Sequence, residues 1–227
     1  MALVAVAVPF SLLALLVAGS WGPLVRGDAT VDAAVHRAAL RSPVLVDAAR
    51  AVTELGTSAV RLLVALAAVA FLLRRHAWRL ALFLAATAGL GGVVDTLVKL
   101  LVDRARPVLP HPLARASGAS FPSGHAMGTT VLFGALLLVF LPVLSRPGRR
   151  LASILAVGAV VAVGVSRVVL GVHYPSDVIG GWLLGLAWLA AATAIFNLFR
   201  VETGQPGLVT LGRGVEPEEA DRLRAAG

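Results

Sequence analysis

Cysteine is absent from the 227 residues, which excludes disulfides, thiolate nucleophiles and cysteine-bound metals while leaving the compartment open. Lysine is nearly absent as well: Lys99 is the only one, and the other basic residues are arginines. Charge of any kind is scarce, at 14% of residues, whereas 58% are hydrophobic and the mean hydropathy is +0.88. No short-period repeat runs through the chain, so a solenoid is excluded. No basic stripe interleaved with aromatics occurs, and nucleic acid is not an expected partner. What charge there is leans positive, 20 Lys plus Arg against 12 Asp plus Glu for a net +8. That balance suits anionic lipid surfaces or phosphate-bearing ligands.

Long apolar runs make up the rest, at about 3–20, 56–73, 79–98, 126–144, 151–166 and 178–199. No Asp, Glu, Lys or Arg occurs from Ala126 to Ser145 or from Val178 to Leu198, enough to cross an apolar slab of about 30 Å. Lipid cannot satisfy backbone groups, and these runs are too long and too little alternating for barrel strands, so helices are expected. The predicted fold is all-α, a polytopic membrane bundle of six transmembrane helices with an amphipathic segment after the first. The opening run, Ala2 to Ala18, lacks the basic flank of a signal peptide and reads as a retained span. In residues 21–55, Asp28, Asp32, His36, Arg37, Arg41, Asp47, Arg50 and Glu54 punctuate an apolar pattern. One or two interfacial helices are expected there, broken near Pro43, as a candidate rim or lid. Residues 1–200 form the predicted membrane domain. Residues 201–227, interrupted by Gly204, Pro206, Gly207, Gly212, Gly214 and Pro217, read as a flexible tail ending in a short surface helix.

Charge bias supplies an orientation. Arg74, Arg75 and Arg79 crowd the second short connection, and Arg146, Arg149 and Arg150 crowd the fourth. If both face the cytoplasm, so do both termini. Parity then puts the 99–125 and 167–177 connections together on the extracytoplasmic face.

Those two connections carry the chemistry. Lys99, Arg106 and Arg167 are cations on the face where positive charge is not expected, and guanidinium forks suit phosphate oxygens. Asp95 lies four residues before Lys99 and can pair with it on one helical face; Asp103 can balance Arg104 or Arg106. Ser123 and Gly124 lead into a helix whose N–H groups can cradle an anion. His125 is placed to protonate a leaving oxygen. Asp177, four residues after His173, can cap a helix or fix the tautomer of that imidazole. His125, His173 and Asp177 are a formal metal-ligand set, but the surrounding cations disfavour a metal and favour an anion. Residue chemistry alone leaves open which histidine attacks.

The ordered set Lys99-x6-Arg106-Pro107, Pro122-Ser123-Gly124-His125 and Ser166-Arg167-x5-His173-x3-Asp177 resembles the three-part signature of the type-2 phosphatidic acid phosphatase (PAP2, lipid phosphate phosphatase) superfamily. The resemblance implies an all-helical bundle of the integral-membrane branch with extracytoplasmic catalytic groups. It implies that His173 is the nucleophile, that Asp177 orients it, and that His125 is the acid. Lys99, Arg106, Ser123, Gly124 and Arg167 would hold the phosphoryl oxygens. Hydrolysis through a phosphohistidine, without cofactor or divalent metal, is the implied reaction. Undecaprenyl diphosphate is the favoured substrate, with phosphatidic acid or phosphatidylglycerol phosphate as alternatives. A lipid-phosphate binding or transport protein is the competing reading, and membrane lipids are partners in either case.

Overall fold

The computed structural model describes residues 2–205, 214–220 and 223. Eight helices follow one another: α1 (Ala2–Ala18), α2 (Gly22–Leu40), α3 (Pro43–Glu54), α4 (Ser58–Arg74), α5 (Trp78–Val102), α6 (Gly124–Phe140), α7 (Arg146–Val169) and α8 (Pro175–Glu202). A 3₁₀ turn, Leu141–Val143, extends α6. Among the described residues there is no strand. By length and composition α5, α6 with its extension, α7 and α8 can each cross a membrane, and the count is six when each bent helix pair is one span. The pairs are α1 with α2, bent by 89°, and α3 with α4, bent by 41°. Six spans and an amphipathic segment after the first are the architecture read from the sequence. Pro43 does separate two helices, at the first turn of α3, where its missing N–H costs nothing.

Lipid offers no hydrophobic drive between helices, so close contact depends on small residues. Helix α8 supplies them. A Cβ on Gly180 would lie 2.4 Å from the Phe121 ring, one on Gly181 2.6 Å from the Ser123 carbonyl, and one on Gly185 2.8 Å from Thr130. These contacts seat α8 against α6 and against the loop that precedes it. On the outside, Leu62, Leu63, Leu151 and Leu155 stand exposed, as side chains facing lipid should.

Helices α2 and α3 are docked rather than adrift. Ala39, Val46 and Ala49 bury against Val169, Leu170 and Val172 at the end of α7. One polar face of α2 turns inward: Asp28, Asp32 and His36 are each buried, while Arg26 and Arg37 stay exposed. His36 Nε2 donates to the Pro110 carbonyl at 2.6 Å, and Arg50 reaches Leu113 O at 3.2 Å. Residues 21–55 therefore pack under the 103–123 connection.

The arginine-rich connections lie at the other end. Val215, fully buried, donates its N–H to Leu138 O, and Glu216 pairs with Arg79 at 2.9 Å and Arg200 at 3.5 Å. Burial raises the Glu216 carboxyl to about 7, against the pull of both arginines. Most of the stretch expected to be a flexible tail, and of its terminal helix, lies outside the described residues.

Because Gly180 has no room for a side chain, Gly180→Leu is expected to cost about 1–3 kcal/mol through overpacking against Phe121. Thermal unfolding of the purified protein in detergent checks this; an unchanged midpoint would show that α8 is not tightly packed on the loop before α6.

Candidate active site

Three segments distant in sequence meet at one end of the bundle. Helix α5 ends at Asp103, which takes a left-handed conformation (φ 43°) and turns the chain out of the helix. Residues 104–123 then run across the bundle to the start of α6. The α7–α8 turn brings His173 and Asp177 beneath them. Backbone bonds lock the segments together: Ser120 N donates to Arg104 O at 2.7 Å, and Ser123 N to Asp177 O at 2.9 Å.

His173 precedes α8 and does not share a helical face with Asp177. Tyr174 is the cap residue, and the Asp177 carboxylate folds back to accept its N–H at 2.9 Å. The same oxygen, Oδ2, accepts from Ser120 Oγ and lies 3.5 Å from His173 Nδ1. Helix capping and imidazole orientation are thus one geometry. On the far side of the ring, Arg106 Nη1 meets His173 Nε2 at 3.1 Å. A guanidinium can only donate, so Nε2 carries a lone pair and the proton sits on Nδ1, toward Asp177. Burial lowers the His173 pKa; Asp177 acts in the opposite direction, and Arg106 and Arg167 add to the lowering. A neutral imidazole with an available Nε2 is a nucleophile.

Arg106 is the hub of the connecting loop. It donates to the carbonyls of Ser117, Gly118, Ala119 and Val172 at 2.8–3.2 Å as well as to His173. Lys99 is similarly engaged, with Nζ 2.8 Å from both Asp95 oxygens and 2.6 Å from Pro122 O. Its predicted pairing with Asp95 is present. Asp103 makes no ion pair among the described residues, contrary to the balancing role expected for it. Arg104 instead turns inward to Asp177 at 2.6 Å and to Asp28 at 2.7 Å.

Arg167, buried at the end of α7, donates Nη1 to Thr53 Oγ1 at 2.7 Å, while its Nε has no partner among the described residues. The buried Ser123 Oγ has none either. Arg61 Nε, beside Gly124, is a third. Buried donors without partners cost about 1–3 kcal/mol each, so several of them around one cationic cluster suit an acceptor-rich ligand. Gly124 permits the approach of α5: a Cβ there would sit 2.9 Å from Asp95 and 3.3 Å from Lys99. His125 follows it in the first turn of α6, within electrostatic reach of Arg167, Arg61, His173 and Arg106. Among the described residues no group of three or more His, Asp or Glu is arranged to hold a metal.

A groove of about 280 Å³ runs along the bundle from Gly124, Asp95 and Arg61 down between α4, α5 and α6, past Leu62, Leu66 and Val131. Arg61 closes its upper end, donating to Gly124 O at 2.9 Å, and fits only because residue 128 is glycine. None of the lining residues belongs to 21–55, so that segment is not the rim of this groove. Thr53, Asp28, Ser120 and Arg104 were not singled out as site residues from the sequence. Arg104 carried the one available signal, a second arginine two residues before Arg106.

Residues 58–200 match the model of the PAP2 superfamily. Phosphatidylglycerophosphatase B of Bacillus subtilis is 34% identical over 163 residues, covering 69% of this chain and 79% of that protein. Decaprenylphosphoryl-5-phosphoribose phosphatase of Mycobacterium tuberculosis is 36% identical over 167 residues, covering 70% and 85%. The crystal structure of a transmembrane PAP2-type phosphatidylglycerolphosphate phosphatase from Bacillus subtilis superposes with a TM-score of 0.74 at 27% identity, over 86% of this chain and 95% of that one.

Thr53→Val removes the one bond that orients Arg167 and should weaken binding of inorganic phosphate by about tenfold, as loss of a hydrogen bond to a charged group does. Calorimetric titration of the detergent-solubilised protein measures it; equal affinity would mean that Thr53 does not govern the Arg167 fork.

Proposed function

The chain belongs to the PAP2 superfamily, and from that premise we propose that it hydrolyses the terminal phosphate of a membrane lipid through a phosphohistidine. One observation carries the reading: a neutral, Asp-backed histidine whose Nε2 faces a guanidinium, beside the unpartnered donors of Ser123 and Arg167.

Phosphoryl transfer demands mostly positioning and charge stabilisation. Arg106, Arg167 and Lys99 would bind the three non-bridging oxygens with Ser123 and the Gly124 backbone. Arg106 would exchange its bond to His173 Nε2 for one to the phosphoryl group. His173 Nε2 then attacks phosphorus. The N–P bond forms as the bond to the lipid oxygen breaks, and Asp177 stabilises the charge gained by the imidazole. His125 would give its proton to the departing oxygen, a role that needs the phosphoryl charge to offset the cations around it. Water next attacks phosphorus with His125 as base, releasing phosphate and restoring His173. Cations already supply the charge stabilisation that a metal would offer, so no metal is required in this scheme.

The apolar groove below Gly124 is a path for a lipid chain whose phosphate lies at the top. Relatives that act, by their names, on phosphatidylglycerophosphate favour that substrate. Undecaprenyl diphosphate presents the same terminal phosphoryl group on a longer anchor, and matched assays of both with phosphatidate decide the preference. Phosphate release should persist in excess EDTA and vanish in His173→Ala. His125→Ala should lose more rate on lipid esters than on activated aryl phosphates. Turnover by His173→Ala, or dependence on a divalent ion, would overturn the scheme; lipid movement without phosphate release would favour a transporter.

We also infer that the site faces away from the cytoplasm, with the arginine-rich end inside. The absence of native cysteine makes the test direct. A single cysteine in place of exposed His111 should react with an impermeant maleimide on intact cells, whereas one in place of His76, in the α4–α5 turn, should react only after lysis. The reverse pattern would invert the orientation.

A further inference from the structure

Asp177 is fully buried, yet only part of its coordination comes from His173. Its Oδ1 belongs to Arg104: Nη1 donates at 2.6 Å and, in the same fork, reaches Ser176 Oγ at 2.7 Å. The guanidinium's other arm, Nη2, donates to Asp28 Oδ2 at 2.7 Å. Tyr174 stacks on the cation, its ring centre 4.2 Å from Cζ. Asp28, itself buried, is bonded by Ser176 through both the backbone N–H (3.0 Å) and the hydroxyl. One arginine thus bridges the carboxylate that backs the histidine to a carboxylate on α2.

We propose that Arg104 is a positioning residue, and that Asp28 on α2 acts through it to keep Asp177 ionised with Oδ2 turned toward His173. A carboxylate can rotate between its two acceptor edges. Binding of Oδ1 by Arg104 on one side, and of Oδ2 by Ser120 and Tyr174 N–H on the other, leaves a single orientation. An ionised carboxylate in that place needs a cation, because Asp28 and Asp32 lie on the same side with charge of its own sign. Arg106 and Lys99, also within electrostatic reach of Asp177, are turned elsewhere, Arg106 to His173 Nε2 and the loop carbonyls and Lys99 to Asp95 and Pro122 O. Asp28 in turn holds the second arm of the Arg104 fork, so the docked amphipathic helix takes part in setting the dyad. The 104 guanidinium contacts no atom assigned to the phosphoryl group, which separates its role from that of Arg106.

This inference rests on His173 being the nucleophile, and its test separates the two. In Arg104→Gln, kcat should fall about a hundredfold, as for loss of a residue that orients a site group from behind and less than the roughly 10⁴-fold of losing the carboxylate itself, with KM changed less than about threefold. The acid limb of the kcat/KM profile should move to higher pH, since Asp177 protonates more readily once the Arg104 cation is gone. Arg104→Lys, keeping charge without the fork, should recover part of the rate and return the acid limb toward that of the parent. Asp28→Asn should lose about tenfold, and adding it to Arg104→Gln should cost nothing further. If Arg104→Gln retains kcat and its pH profile, the positioning role is wrong. Should that variant not fold, Arg104→Lys decides alone: a full parental kcat overturns the proposal. Additive losses for Asp28 and Arg104 would remove Asp28 from it. Turnover by His173→Ala sinks the nucleophile assignment instead, whatever the Arg104 variants do.

Discussion

A single carboxylate holds the three signature segments in register. The side chain of Asp177 takes Arg104 from the first segment, Ser120 from the connection to the second, and the Tyr174 N–H and His173 from the third. Its backbone carbonyl takes the N–H of Ser123. A buried charge of this kind is tolerated only when fully coordinated. That requirement fixes where α8 starts, how the 104–123 connection lies, and which way the imidazole faces. The glycines at 180, 181 and 185 serve the same end, because they let α8 come close enough for Ser123 to reach Asp177.

The membrane imposes the complementary constraint. With lipid around most of the bundle, polar chemistry is confined to one end, where α2 and α3 cover it. Cations gathered there repel one another, and the fold answers with oxygen. Lys99 is surrounded by Asp95 and Pro122 O, Arg106 by backbone carbonyls, Arg167 by Thr53, and Arg104 by two aspartates. Among the described residues Ser123 Oγ, Arg167 Nε and Arg61 Nε are donors left over around this cluster. In the proposed reaction, Ser123 and Arg167 find their missing acceptors in the phosphoryl oxygens.

Much of this could be read from the sequence because it depends on local rules. Uncharged stretches such as 126–145 declare spans, Pro43 declares a helix start, and parity of spans brings the 99–125 and 167–177 connections to one end. Ordered motifs at fixed spacing pick out groups that the fold gathers at that end. Arg104 was paired in expectation with its neighbour Asp103, since sequence proximity is the default guide to ion pairs. The left-handed turn at Asp103 sends the two side chains apart, and nothing local predicts that. Thr53 and Asp28 escaped for a related reason. They come from a segment whose amphipathic pattern says that it lies at an interface, but not that its polar face turns inward. His173 and Asp177 stand at helical spacing in the sequence, but His173 lies before α8, and Asp177 meets it by folding back from the first turn to cap the helix.

The bond between Asp28 and Ser176 spans 148 residues of chain. Helices that enter a bilayer one after another can settle individually, since each satisfies its own backbone. The dyad cannot be finished that way, because its α2 support has to wait for the first turn of the last span to emerge. Long-range closure of this sort is the slow element of an otherwise locally stabilised fold. A nascent chain carrying the first five spans already displays Lys99, Arg106, Ser123 and His125, yet lacks His173 and Asp177, the nucleophile and its support in the proposed reaction. Under the proposed mechanism, assembly order keeps the chain chemically silent until insertion is complete.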